Sequence, residues 1–340
     1  MRSHVVLVVL AFLLPLGLPT AAHAQGNAPL PGAPNDAAAD AYERGERLLQ
    51  RGKLELAAEQ FDKAAKLAPL FHIAHFASGN ALAQAGKTRE AEKRYRRALA
   101  VAPKFAPGWN ALGVVLLSQG RAGDAVTALD RALRADPKHD LARLHRGEAL
   151  IRVGRPEDGA KDARALLAKD PTNGDAHVVL ASAEAAMGSL EKANEVLDAL
   201  FVRQPGHGPG LLLRVTLRAR QDRYDDAAKA LAKAVERAGD QPLVRGQALR
   251  IGSKLADAAR SRGETAAQVR VLKTIVVLVP KNATAHARLG AALITLYESR
   301  SAAKRDPREI ENARKQLERA LELDPSQDSV RKLLEMYRDR

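Results

Sequence analysis

The chain of 340 residues has no cysteine. Disulfides, thiolate metal centres and cysteine nucleophiles are therefore excluded, and such a chain is at ease in an oxidising compartment. Aromatic residues are scarce, at 4% with a single tryptophan. That scarcity disfavours base stacking, and with it a nucleic-acid partner. Long apolar runs are absent beyond the N-terminus, so no later segment offers the ~20 apolar residues that a membrane span takes. Negative charge is in deficit. Forty Asp plus Glu face 54 Lys plus Arg, a net charge of +14, which allows an anionic partner.

What is present begins with an export signal. Arg2 supplies a positive start, Val5 to Leu14 is an unbroken apolar run ended by Pro15, and Ala22-His23-Ala24 has the small-x-small order of a cleavage site. The expectation is cleavage after Ala24 and residence in a periplasm, with the extracellular space as alternative. Residues 25–37, with three prolines and little to pack, read as a flexible leader.

The rest of the chain repeats itself. "ALAVAP" at 98–103 returns as "ALRADP" at 132–137, and as "ALELDP" at 320–325. Pro103 and Pro137 are 34 residues apart, and the same step reaches Pro69, Pro171 and Pro205. A second ruler of that length joins Gly52, Gly86, Gly120, Gly154 and Gly188. At background glycine frequency, four such coincidences arise about once in forty thousand. A period of this length marks a solenoid of one repeated supersecondary unit.

Repeats begin at Ala38, His72, Ala106, Asp140, Gly174 and Gly208, each with two amphipathic stretches parted by a turn. Physical demands on the positions follow. Gly45, Gly79, Gly113 and Gly147 fall where two antiparallel helices cross, opposite the small Ala57, Ala91 and Ala125. Phe61, Tyr95 and Leu129 fill the space beside that contact, and the prolines stop each second helix. The order Trp109, Leu112, Gly113, Leu116, Ala125, Leu129, Ala132, Pro137 resembles the tetratricopeptide repeat, with leucines in place of two aromatics.

The pattern loosens towards the end of the chain, from the sixth repeat onward. Asp222 stands where the turn glycine belongs, and Gly239 where the proline belongs. A seventh unit near Leu249 keeps Gly263, Leu272 and Pro280, its first helix starting early with Asp240 as N-cap and Pro242 in the first turn. An eighth keeps Leu289, Gly290, Leu293, Ala313, Leu317, Ala320 and Pro325, around an insertion that ends at Asp306-Pro307. Residues 38–241 thus read as six regular repeats, 242–325 as two irregular ones, and 326–340 as a capping helix. The resemblance implies an all-α, right-handed solenoid of about eight helix-turn-helix units.

No catalytic pattern interrupts the repeats. Phosphate loops, nucleophile elbows and H-E-x-x-H pairs are missing from the sequence. His72 and His75 have a metal-compatible spacing, but His75, His177 and His286 share the fourth repeat position with Trp109, which favours a packing role. Asn282-Ala283-Thr284 matches a glycosylation pattern and is taken as chance. No enzyme activity and no cofactor are expected.

The resemblance places first helices on a concave face, with repeat positions 2, 5, 9 and 12 inward. Those positions supply Ile73, Phe76, Asn80, Asn110, Val114, Leu117, Leu141, Leu144, Glu148 and Ile151, with Arg152 beside them. A largely apolar strip with a few amides suits a peptide segment, although Leu144 and Ile151 equally suit packing between repeats. Arg89, Lys93, Arg94, Arg96 and Arg97 gather on a second helix, as a solvated face or as a contact for anionic polysaccharide or lipid head groups. The leading expectation is an exported, non-catalytic scaffold for partner proteins in envelope assembly or export. The alternative is an accessory of exopolysaccharide export.

Overall fold

A computed structural model describes residues 35–338. The export signal and the leader as far as residue 34 lie outside these. The leader is shorter than the sequence suggests: Asn35 Oδ1 accepts from the Ala38 amide at 2.8 Å and starts a helix at Asp36.

Helices follow one another in hairpins. The first unit of the chain, ending at Ser189, contains α1 (Asp36–Gln50), α2 (Leu54–Leu67), α3 (His72–Gln84), α4 (Thr88–Val101), α5 (Ala106–Ser118), α6 (Ala122–Ala135), α7 (Asp140–Arg152), α8 (Pro156–Lys169) and α9 (Gly174–Ala186). The second, from Leu190, contains α10 (Leu190–Arg203), α11 (Gly208–Arg220), α12 (Tyr224–Ala238), α13 (Pro242–Ser261), α14 (Thr265–Leu278), α15 (Ala283–Glu298), α16 (Pro307–Leu323) and α17 (Asp328–Met336). No strand occurs among the described residues. The division falls inside the fifth repeat, not at residue 241 where the regular repeats end.

The 34-residue period is local geometry. A 13-residue first helix, a short turn, a 14-residue second helix and a proline-bearing connection exhaust it. The hairpins α1–α2, α3–α4, α5–α6 and α15–α16 are tight because a glycine removes a side chain at the crossing. A Cβ on Gly113 would lie 2.6 Å from Leu129 Cγ, and Leu129 is fully buried. The turn then needs a left-handed residue. Gly120 takes φ +78°, and Asp222 takes the same conformation at φ 55° without glycine's freedom.

Caps repeat as well. Asn173 and Asn282, and the Nδ1 atoms of His139 and His207, accept from the third amide onward and open α9, α15, α7 and α11. One expectation is corrected: the N-cap position of α13 falls on Gln241, not Asp240, because Pro242 already occupies its first helical position, and the Gln241 side chain makes no capping bond. Asp306 caps α16, accepting from the Arg308 amide at 3.0 Å.

In the first unit one apolar cluster runs from Ala38 to Ala149, dominated by alanine and leucine with Phe61, Phe71 and Tyr95 fully buried. Alanine at the crossings lets helices approach closely, so a core poor in aromatics still packs.

Candidate peptide groove

In the first unit α3 packs on α5, α5 on α7 and α7 on α9, while the second helices do not pack on one another in this way. First helices therefore crowd together on the inner side, and second helices fan out behind them. The expected strip lies on these first helices.

The strip's side chains are largely engaged with each other. Phe76 is buried between Tyr95 and Phe105, at ring distances of 5.8 and 5.0 Å, the latter edge-on. Asn80 Oδ1 accepts from the Tyr95 hydroxyl at 2.8 Å, and burial pushes that hydroxyl's pKa up. Asn110 Oδ1 accepts from His145 Nδ1 at 2.8 Å, joining α5 to α7 across 35 residues. His145 is buried and its Nε2 has no partner. Desolvation is the main cause that brings its pKa down to about 4, with the nearby His139 adding to it and Asp175 opposing.

Val114, Leu117, Leu144 and Ile151 are buried, and Glu148 is buried against Arg152. Arg152 also donates to the Leu117 carbonyl at 3.1 Å, a cation placed on the negative end of α5. Ile73 and Arg152 are half-buried, and Leu141 is exposed. The open part of the strip is thus centred on repeat position 2. Positions 5 and 9 chiefly join neighbouring repeats.

Histidines have structural work at the fourth repeat position. Its occupant reaches back to the carbonyl of the proline that ended the preceding helix. Trp109 Nε1 donates to Pro103 at 2.8 Å, Arg143 to Pro137 at 2.9 Å, and His286 Nε2 meets Pro280 at 3.0 Å. His75 bonds the Pro69 carbonyl likewise, its pKa lowered mainly by burial. A ring or guanidinium N–H six residues after Pro69, Pro103, Pro137 and Pro280 was the legible signal for this role, and Leu211 after Pro205 departs from it. Neighbouring His72 lies edge-on to Phe105 at 5.1 Å. Among the described residues no group of three or more His, Cys, Asp or Glu is arranged to hold a metal.

The basic stripe on α4 is less free than its composition suggests. Arg94 forks onto Asp62, Nε to Oδ1 at 2.7 Å and Nη2 to Oδ2 at 2.6 Å. Ser78 donates to the same carboxylate at 2.7 Å. Arg96 pairs with Glu92 at 2.9 Å, and Arg121 reaches Glu92 at 3.0 Å. Arg146 similarly bridges Asp130 and Asp162, at 2.9 and 2.7 Å. These inter-repeat forks were missed in the sequence. An Asp at position 25 with a donor one repeat on was the available signal.

A family model for the tetratricopeptide repeat matches residues 42–88, 76–140 and 144–208. The chain carries tetratricopeptide repeats over those residues, and its fold is the all-α solenoid type built from such repeats. A tetratricopeptide repeat protein from Parabacteroides merdae is similar in structure, with TM-score 0.56 and 16% identity over 90% of this chain and 100% of that one. PilW, described as a type IV pilus biogenesis factor, is similar over 62% of this chain and 98% of its own, with TM-score 0.52 and 18% identity. No curated protein matches the sequence. The fold points to protein–protein interaction.

Proposed function

We propose that this chain is an exported, non-catalytic scaffold that holds partner proteins or peptide segments along the inner face of its first helices. The observation that carries this reading is the inner strip of the first unit: Leu141 exposed and Ile73 half-exposed, over a floor made rigid by the Phe76 stack and the Asn80–Tyr95 and Asn110–His145 bonds. A floor already satisfied loses little conformational entropy when a ligand docks. The apolar run and small-x-small order at Ala22-His23-Ala24 support export to a periplasm, where envelope assembly or secretion supplies partners. N-terminal sequencing of the exported protein checks this: a chain beginning at Gln25 agrees, and one retaining Met1 refutes it.

An accessory role in exopolysaccharide export rests on net charge. Arg94 and Arg96, the centre of the basic stripe, are instead held by Asp62 and Glu92, so we favour protein partners. The test is a paired variant, Ile73→Glu with Leu141→Glu. Both side chains reach solvent, so the helical circular dichroism should be retained while capture of periplasmic partners falls at every salt concentration. Unchanged capture refutes the groove.

A further inference from the structure

A cleft on the outer side of the first unit lies apart from the inner strip. It begins as an open pocket of about 650 Å³ lined by Arg89, Glu92, Lys93, Arg96, Gln119 and Arg121. Four cations thus surround one carboxylate. That carboxylate is already matched, since Glu92 accepts from both Arg96 and Arg121, and Arg121 also holds Asp124 at 2.6 Å. Arg89 and Lys93 have no carboxylate partner among the described residues and are exposed. Gln119 belongs to the same network: its Oε1 accepts from Arg121 at 3.3 Å and its side-chain amide bonds Glu92. Two exposed cations without carboxylate partners leave the site short of oxygen acceptors. The first turn of α4, whose free amides carry positive potential, adds to the same field through Thr88 and Arg89 at the rim.

The cleft continues. A second pocket of about 230 Å³ shares Arg96 and Arg121 with the first, and Leu112, Leu116 and Ala128 are among its lining residues. Its character is apolar where the first is cationic. Trp109 forms a wall, but Arg131 covers the indole face at 4.7 Å and the indole N–H is spent on the Pro103 carbonyl. No bare aromatic platform is left for a sugar ring to stack on.

We propose that this cleft is a second docking site, for an acidic peptide segment that sets several carboxylates beside one apolar side chain. The carboxylates meet Arg89 and Lys93, and the apolar side chain enters the pocket beside Trp109. This deepens the scaffold reading with a surface that works separately from the inner strip. Attraction from exposed cations is screened over about 8 Å at physiological ionic strength, so binding here weakens with salt, whereas binding at the inner strip does not.

The test uses the full chain and a fluorescein-labelled peptide of glutamates with a single leucine, followed by anisotropy. Arg89→Glu with Lys93→Glu reverses two exposed, unpaired charges and leaves the fold intact by circular dichroism. It should weaken binding about tenfold. Replacing the peptide's leucine by serine should weaken it about fivefold. Ile73→Glu with Leu141→Glu should leave this binding unchanged, even if it abolishes capture of other partners. Equal binding by the Arg89/Lys93 variant overturns the proposal, as does loss confined to the inner-strip variant. Tighter binding of an oligogalacturonate of matched charge overturns it in favour of an acidic glycan.

Discussion

Adding one methyl group in two places of the same hairpin should move stability in opposite directions. Gly113 and Gly123 lie on α5 and α6, and both are helical. In a helix interior, Gly→Ala gains about 1 kcal/mol from reduced backbone freedom. At Gly123, in the first turn of α6, nothing stands within 4 Å of the new Cβ, so Gly123→Ala should stabilise by part of that amount, ~0.5 kcal/mol. At Gly113 the same atom meets Leu129 Cγ at 2.6 Å and its two methyls at 2.9 and 3.1 Å. Apolar carbons rest at about 3.5–4.0 Å, so Leu129 must move by roughly an ångström. It is fully buried, with no free space to take it. Overpacking of this kind costs about 1–3 kcal/mol, which offsets the propensity gain of about 1 kcal/mol and leaves Gly113→Ala destabilised by up to ~2 kcal/mol. Gly113→Leu, with a branched side chain at the same point, should be worse. Because repeats are stabilised by their neighbours, the loss should centre on α5, α6 and the hairpins on either side. Urea unfolding followed by circular dichroism measures the difference, and hydrogen exchange locates it. If Gly113→Ala and Gly123→Ala prove equally stable, the crossing is not where the repeat phase puts it.

Two further outcomes follow from the same structure. Asp222→Gly relieves the left-handed φ of 55° and gives up only an exposed pair with Arg262 and a bond from the Tyr224 hydroxyl. It should therefore stabilise by ~0.5–1 kcal/mol or change little, and a clear loss of thermal stability refutes the assignment of strain. His145 is neutral when buried, with its pKa lowered from 6.5 to about 4. The unfolded chain takes up a proton there first as pH falls, so stability is full above about 6.5 and declines as pH drops towards 4, by about 3 kcal/mol in total. His145→Gln should remove that part of the slope. Parallel acid-unfolding curves for the two chains refute it.

The 34-residue ruler was legible because each of its marks is a local backbone requirement. A proline ends a helix wherever it stands, and a turn needing positive φ asks for glycine whatever surrounds it. The N-cap of α13 shows the limit of such reading. Asp240 has the better capping side chain, yet Pro242 fixes the helix start and leaves the cap position to Gln241. The inner strip was legible as a set of positions and illegible as a set of free side chains. Helical period aims Phe76, Asn80 and Asn110 at one face, but does not tell whether that face meets solvent or the next repeat.

That second question is decided by how closely successive first helices stack. α5 lies against both α3 and α7, so its inner residues reach partners one repeat away, as Asn110 reaches His145. The same holds for charge. The sequence determined how many arginines α4 carries and on which side; only the tertiary structure decided that Arg94 is taken by Asp62, 32 residues earlier, while Arg89 and Lys93 are left open. Periodicity specifies direction along one helix. Partners and solvent exposure depend on the offset and curvature between repeats, which arise when side chains from distant parts of the chain pack together.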